Sequence, residues 1–357
     1  MELDDIRGKI CDPKDADTIC WGAKAKKSPF EQLFYKLPKL EQDEVRITTT
    51  YVGMCHSDCF KIDEEWGPNA AWPLVPGHEI VGEILNVGSN VKSFKINDKV
   101  CVGVFRDCCG ECDQCKMGVD NMCTNSLYKF TYDPHLGGYS TVMQIKAGFV
   151  FPLNKGLDES RVAPLLCAGV TTFAPLKKYA QPGAKCAVVG IGGLGHLGIQ
   201  YASKMGMKVT AISTTMDKEK EARALGANEF VCSKDKAQWN KFLKNPQNII
   251  LNTAYISDIT EYMYALAPTG KFINVGLPEV TKPIVFNNCE FVCNQKQLIG
   301  SCVGCRKEVV ETLDFSEMYN ILPVCEQFSW KDLPKAYERL HSGKAHYRCV
   351  LKTKGEY

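Results

Sequence analysis

CAVVGIGGLGHLGIQYASKMG, residues 186–206, runs from an apolar stretch through a glycine-rich turn into a helical pattern. Gly190, Gly192 and Gly195 have the spacing G-x-G-x-x-G, with Ile191, Gly193 and Leu194 between them. Alone, that spacing is a weak signal. Between a strand and a helix it has the context of a dinucleotide site. The first glycine permits the tight turn, the second lets the backbone approach a pyrophosphate, and the third lets helix and strand pack closely. Free N–H groups at the helix start then face the phosphates. The plainer alternative is a glycine-rich turn with no ligand.

Working outward, KVTAIS (208–213) is a second apolar run and DKEKEARALG (217–226) a second helix. EFVCS, NIILNTA and KFINVG continue the alternation to residue 276. Strands alternating with helices imply parallel βαβ units with right-handed crossovers, an α/β doubly wound sheet. The second strand ends in Ser213-Thr214-Thr215, with Lys218 shortly after and no carboxylate before Asp217. A site for NAD places Asp or Glu near this point, on the ribose 2′-OH. Hydroxyls and a cation suit a 2′-phosphate, which a carboxylate would repel, so the expected cofactor is NADP(H). Ser213 and Thr214 can also cap the following helix, and the two roles can coexist.

The first 150 or so residues read as an irregular β-rich domain, with EVRITTTYV, EIVGEILNV and KVCVGV broken by Gly, Pro and Asn. The last fifty residues hold amphipathic helices near 306–320 and 332–342 and end in a closing strand, YRCVLKT. The run KDKAQWNKFLK reads as a solvated face. A chain of 357 residues suggests two domains at roughly 100–200 residues each. Its 45% hydrophobic and 24% charged content is that of a soluble globular protein, and a formal net charge of +2 lacks the basic excess of a nucleic-acid binder. The acidic, polar start MELDDIRGKICDPKD has no apolar core for a signal peptide, and no later run is long enough to span a membrane. The expected location is the cytoplasm, with no nucleic-acid or membrane partner.

Nineteen cysteines form an odd count in a long chain without a secretion signal, which favours metal binding or chemistry over a disulfide framework. CCGECDQCKMGVDNMC (108–123) holds five of them. Cys109, Cys112, Cys115 and Cys123 have the spacing C-x2-C-x2-C-x7-C. Four thiolates would close a tetrahedral zinc shell, fastening a loop and leaving no position for substrate. An iron–sulfur cluster is the rival, but the ferredoxin run continues x3-C-P, whereas here seven residues intervene and no proline follows. Cys108 is a bystander. A second set is scattered: Cys55 in GMCHSDCF, His78 in PLVPGHEIVGEI and Cys167 in APLLCAGVTT. Two thiolates and one imidazole leave one zinc position open, as hydride-transferring sites require. Taken singly, Cys167 also suits a small buried residue.

These segments resemble the zinc-dependent medium-chain dehydrogenase/reductase family, and within it the cinnamyl-alcohol-dehydrogenase-like branch. The resemblance spans nearly the whole chain. It is carried by CHSD (55–58), PGHEIVGEI (76–84), the four-cysteine loop (109–123), APLLCAGVTT (163–172), GIGGLGHLGIQ (190–200), VTAIST (209–214) and IGSCVG (299–304). It implies a GroES-like β-rich catalytic domain built from both chain ends, residues 1–160 and 301–357. A Rossmann NADP-binding domain over residues 161–300 is inserted between them. By this resemblance Cys55, His78 and Cys167 hold the catalytic zinc, and Glu79 lies near the metal, exchanging with water. Asp58 bonds His78 and fixes its tautomer. Ser57 passes the alcohol proton on, and His56 and Thr171 join the cofactor contacts. The implied chemistry is reversible hydride transfer between primary alcohols and NADP, with zinc as Lewis acid. The partner is a small alcohol or aldehyde, and the assembly a homodimer paired through Rossmann-sheet edges.

Some positions depart from the family. Many relatives carry a His two residues after CHSD; Phe60 stands there, leaving the proton to travel through the cofactor ribose and water, or through His56. Asn97-Asp98 replaces the usual GD turn, and Asn tolerates a left-handed conformation. Tyr128 stands where lignin-pathway members have Trp, and Cys302 where they have an aromatic, so the substrate pocket differs from theirs. Trp66 and Trp72 either line the pocket or simply pack. His135 reads as a loop residue and His196 as a neighbour of the cofactor. The competing functions are a polyol or secondary-alcohol dehydrogenase of the same fold, a zinc-ribbon binding module, and an iron–sulfur electron carrier.

Overall fold

The computed structural model describes residues 3–126, 129–277 and 282–357. They form two compact units, one made of residues up to Cys167 together with Cys305–Tyr357, the other of Ala168–Gly304. The divisions fall at 167/168 and 304/305, against the 160/161 and 300/301 read from the sequence. Tyr128, one of the pocket departures, lies outside the described residues.

The inserted unit carries six strands, all parallel to their neighbours. In order across the sheet they are Glu229–Cys232, Lys208–Ser213, Lys185–Val189, Gln247–Asn252, Leu266–Asn274 and Gln297–Gly300. Numbered along the chain this is the order 3-2-1-4-5-6. Its reversal between the first and fourth strands opens a crevice at their carboxyl ends. The continuous apolar runs seen in the sequence follow from burial on both faces: Ala187, Val189, Ile212, Ile250 and Phe272 are buried in one cluster. KDKAQWNKFLK is a solvated face on one side only: its five charged residues are exposed, and its aromatics face inward. Its helix, Lys236–Leu243, is capped by Asp235 and drives Trp239 and Phe242 into that cluster. Trp239 Nε1 donates to Glu261 Oε2 at 2.8 Å. Burying the two aromatic side chains contributes about 1.5–3 kcal/mol each, while the charged residues stay in solvent on the other face.

The unit built from both chain ends is organised on a seven-stranded sheet. Its path is Cys325–Ser329, Arg348–Lys352, Glu44–Met54, Glu79–Val87, Lys99–Val102 and Val150–Pro152, with Val142–Lys146 also pairing Glu44–Met54. The C-terminal strand lies antiparallel to Glu44–Met54, setting Cys349 opposite Met54. A smaller sheet joins Lys9–Ile10, Phe30–Lys36 and Thr18–Ala23. Asn97 has φ +69°, the left-handed conformation expected of the Asn97-Asp98 turn. Among the described residues no helix is long and apolar enough to cross a membrane.

Candidate active site, metal centres and dinucleotide turn

The strand Glu44–Met54 delivers Cys55 to the start of the helix His56–Ile62. Beside it, Gly77 turns the chain at φ +98° and delivers His78 and Glu79 to the head of the strand Glu79–Val87. Cys167 arrives at the end of the 3-10 turn Ala163–Leu166. One donor atom each from Cys55, His78, Glu79 and Cys167 lies within 4.8 Å of the others, and all four residues are buried.

Asp58 organises this group. Its carboxylate is fully buried and accepts from Cys55 N (3.0 Å), Gly77 N (3.1 Å) and Tyr139 Oη (3.0 Å), and it pairs with His78 Nδ1 at 3.1 Å. With Nδ1 committed to a carboxylate, Nε2 is the nitrogen left for a metal. Ser57 Oγ is 3.2 Å from Cys55 Sγ. Glu79 faces Gly53 across the two strands, and a Cβ on Gly53 would come within 2.1 Å of Glu79 Oε2. Glu79 Oε1 is bonded by Arg348 Nη2, which also donates to Met54 O at 2.9 Å. Burial pushes the Glu79 carboxyl up to about 7 against the pull of Arg348. Glu79 Oε2 is buried with no hydrogen-bond partner.

The donor chemistry fits a cation. The Cys55 sulfur is held well below the usual thiol range by a hydrogen bond from Cys167, and that same bond together with burial pushes Cys167 well above it. Burial opposes a charged His78, yet Asp58 and Cys55 overcome it and drive its value well up. A zinc ion held by these atoms would supply the positive charge that buried thiolates and an imidazole call for. Two sulfurs and one imidazole are a zinc set with an open position, and the orphaned Glu79 oxygen lies beside it.

The second metal group is Cys109, Cys112, Cys115 and Cys123, whose sulfurs again lie within 4.8 Å of one another. Backbone N–H groups point at the sulfurs: Cys112 N to Cys109 Sγ and Cys109 N to Cys123 Sγ, both 3.3 Å. The N–H of Thr124, and then that of Cys115, holds Cys112 down at about 6. Cys108 stays outside the group. This all-sulfur set fits a closed zinc shell.

In the other unit, the glycine turn shows a separate steric demand at each of its three spaced glycines. Gly190 sits at φ +87°. A Cβ on Gly192 would meet nothing within 4 Å, so the backbone is open to an approaching group. A Cβ on Gly195 would lie 1.8 Å from Gly190 O. Thr253, just past the fourth strand, donates to Val189 O (2.8 Å) and Gly190 O (3.2 Å), tying both sides of the crevice. His196 is buried with Nδ1 2.8 Å from Gly192 O, so it braces the turn. Gly193 and Leu194 complete the turn, and the helix runs Gly195–Lys204. Ser213 is buried at the end of the second strand, with Thr214 and Thr215 exposed beyond it. No side-chain cap bond forms on the short helix that follows, so the capping alternative lacks its hydrogen bond. Lys218 Nζ donates to Ile191 O at 2.8 Å, joining this strand end to the glycine turn. An open Gly192, in a turn that Lys218 joins to the hydroxyl-bearing end of the second strand, fits a phosphorylated dinucleotide.

Residues 41–155 match the family model for the alcohol dehydrogenase GroES-like domain, and residues 193–318 that for zinc-binding dehydrogenases. A probable formaldehyde dehydrogenase of Bacillus subtilis is 37% identical over 91% of this chain and 94% of its own length. The chain belongs to the zinc-binding alcohol dehydrogenases. Among solved structures, a cinnamyl alcohol dehydrogenase from Sorghum bicolor is 32% identical, with a TM-score of 0.89 over 96% of this chain and 99% of its own. CAD from Helicobacter pylori, solved with NADP(H), is 34% identical, with a TM-score of 0.87 over 95% and 99%. These neighbours place the dehydrogenase in the cinnamyl-alcohol-dehydrogenase-like branch of the medium-chain family.

The remaining residues singled out in the sequence are spread more widely. His56 is half-buried, its imidazole pushed down by burial. Phe60 packs its ring 5.1 Å from Trp66 and 6.4 Å from His56, so an aromatic cluster stands where many relatives have a relay histidine. Trp72 packs against Ala23, Ile62 and Leu74. Thr171 is buried in the first turn of the helix Ala168–Tyr179. Cys302 is exposed. Sequence reasoning passed over Arg348, Tyr139 and Gly53. The one local signal was an arginine in the otherwise apolar YRCVL; the other two act only through contacts distant in the chain.

Proposed function

We propose that this dehydrogenase interconverts primary alcohols and aldehydes, aromatic or of medium chain length, with NADP(H) as hydride carrier. Cys55, His78 and Cys167 would hold a catalytic zinc and Cys109, Cys112, Cys115 and Cys123 a structural one. The observation that carries the reading is the buried set of two thiols, one imidazole and one carboxylate gathered within 4.8 Å. When bound, zinc supplies Lewis acidity at the substrate oxygen and the nicotinamide ring gives or takes the hydride.

The chain's own residues do the rest. Asp58 orients His78 and ties it to the backbone of Cys55 and Gly77. Ser57 handles the alcohol proton from its place beside Cys55, passing on its own as it accepts one. Phe60 offers no base, so the onward path leads to the cofactor ribose and water, or to His56. Arg348 holds one oxygen of Glu79, leaving the other for exchange with water at the open position. Gly190, Gly192, Gly193, Leu194 and Gly195 cradle the pyrophosphate with His56 and Thr171. Ser213, Thr214, Thr215 and Lys218 take the 2′-phosphate. The neighbour solved with NADP(H) supports that cofactor. A homodimer and a reducing, cytoplasmic setting accompany the reading.

The test is side-by-side oxidation of NADPH and NADH with a panel of aromatic and aliphatic aldehydes on zinc-replete protein. Turnover with NADPH that disappears in Cys55→Ala is expected. Turnover only of polyols with NADP+ would move the substrate class, and faster turnover with NADH would overturn the cofactor assignment. Gel filtration giving a monomer would remove the dimer.

A further inference from the structure

The strand end that selects the cofactor contains a carboxylate for which the NADP(H) reading provides no role. Asp217 follows Ser213, Thr214 and Thr215 and immediately precedes Lys218. Its Oδ1 accepts the Thr215 hydroxyl in a short hydrogen bond. A hydroxyl has one proton to donate. While Thr215 donates to Asp217, that proton is not available to a phosphate oxygen. Thr214, Thr215, Met216 and Asp217 are all exposed, so this carboxylate is not walled off from a ligand at the strand end. Lys218, the next residue after Asp217, anchors the segment to the glycine turn through Ile191 O at 2.8 Å, and in such folds the ribose of a bound dinucleotide lies near this strand end. The hydrogen bond from Thr215 keeps Asp217 below the ordinary carboxylate range, with Lys218 adding to the effect.

We propose that Asp217 is a specificity-determining residue that weakens binding of the 2′-phosphate, both by like charge and by engaging the Thr215 hydroxyl. This rests on the NADP(H) reading. The segment combines features of opposite sign: three hydroxyls and a lysine favour a phosphorylated ribose, and one carboxylate opposes it. The chain therefore discriminates between NADPH and NADH less sharply than its hydroxyls and lysine alone would dictate. A carboxylate several ångströms from a phosphate in solvent of high dielectric lowers affinity about three- to tenfold, and salt diminishes the effect. NADH lacks the 2′-phosphate and offers the carboxylate no like charge to repel.

The experiment is fluorescence titration of zinc-replete wild type, Asp217→Asn and Asp217→Ala with NADPH and with NADH, at low and high salt. Asp217→Asn should tighten NADPH about three- to tenfold at low salt, with a smaller gain at high salt. Asp217→Ala, which also frees the Thr215 hydroxyl, should tighten it at least as much. NADH binding should stay within about twofold in both, which also shows that the site is intact. NADPH affinity unchanged or weakened in both variants would overturn the proposal, as would NADH tightening in step with NADPH. The wild-type ratio of the two affinities tests the cofactor reading alone. The change in that ratio on substitution tests Asp217 alone.

Discussion

Asp58→Asn is the substitution on which the organisation of the metal site can be judged. The carboxylate takes two contacts on each oxygen: Gly77 N and His78 Nδ1 on Oδ1, Cys55 N and Tyr139 Oη on Oδ2. An asparagine has the same shape but offers only one acceptor oxygen. With its oxygen in the Oδ1 position, the amide NH2 faces the Cys55 N–H, which cannot turn away, while Tyr139 can rotate and accept. With the oxygen at Oδ2, the NH2 faces Gly77 N–H and His78 must accept at Nδ1, moving its proton to Nε2, where the metal belongs. The first arrangement is the better one, and it strands one buried backbone donor. The cost is about 1–3 kcal/mol for the unsatisfied group. Replacing a carboxylate that bonds a ligand histidine by an amide should in addition weaken zinc at this site about 10- to 100-fold. The assay is zinc competition with a chromophoric chelator, which resolves two sites per chain. Only the weaker-holding class should shift, and the all-cysteine group should stay put. Urea denaturation of both proteins, with zinc present, reads the stability term. Unchanged affinity at both sites, with unchanged stability, would falsify the assignment of Asp58 as the organiser of His78.

Other outcomes follow from the same geometry. Gly195→Ala should lose both stability and nucleotide binding, because its Cβ would lie 1.8 Å from Gly190 O, whereas Gly192→Ala, with nothing within 4 Å, should keep its melting temperature and lose nucleotide affinity alone. If both variants melt like wild type, the packing role of Gly195 is wrong. Cys112→Ser should lower zinc content by one ion per chain and speed proteolysis within residues 108–126; full zinc content would exclude Cys112 as a ligand. Burial, with Arg106 nearby, pushes the His135 imidazole down from 6.5 to about 2. A depressed folded value gives stability above pH 6.5 that is lost on acidification, by about 1 kcal/mol per pH unit for this partly exposed ring. Urea unfolding between pH 6.5 and 5 should therefore be steeper in pH for wild type than for His135→Gln, and equal slopes would clear His135.

Much of the inserted unit was legible because its information is local. Apolar runs of five or six residues, a glycine spacing and intervening helices are short-range patterns, and a parallel sheet buried on both faces repeats them. Gly190, Gly192 and Gly195 were readable for the same reason: each answers a steric demand within its own turn. The four-cysteine loop was equally plain, since its sulfurs lie within fifteen positions of sequence. KDKAQWNKFLK was read only on its solvated side, because its five charged side chains hid two aromatics, Trp239 and Phe242, on the opposite helical face.

The catalytic centre was a different matter. Cys55, His78 and Cys167 are separated by 22 and 88 residues, and their convergence could be expected only through resemblance. What tertiary structure alone decided is the environment that makes them a centre. The C-terminal strand pairs with Glu44–Met54 and brings Arg348 to Glu79 from 269 residues away. Tyr139 reaches Asp58 across 81, and Gly53 is small because Glu79 lies opposite it. The residue types suited to zinc and nucleotide were thus written in the sequence, as short motifs with their own stereochemistry. Their protonation and orientation were not, because these depend on buried hydrogen bonds and charges supplied by strands that meet only when the chain folds.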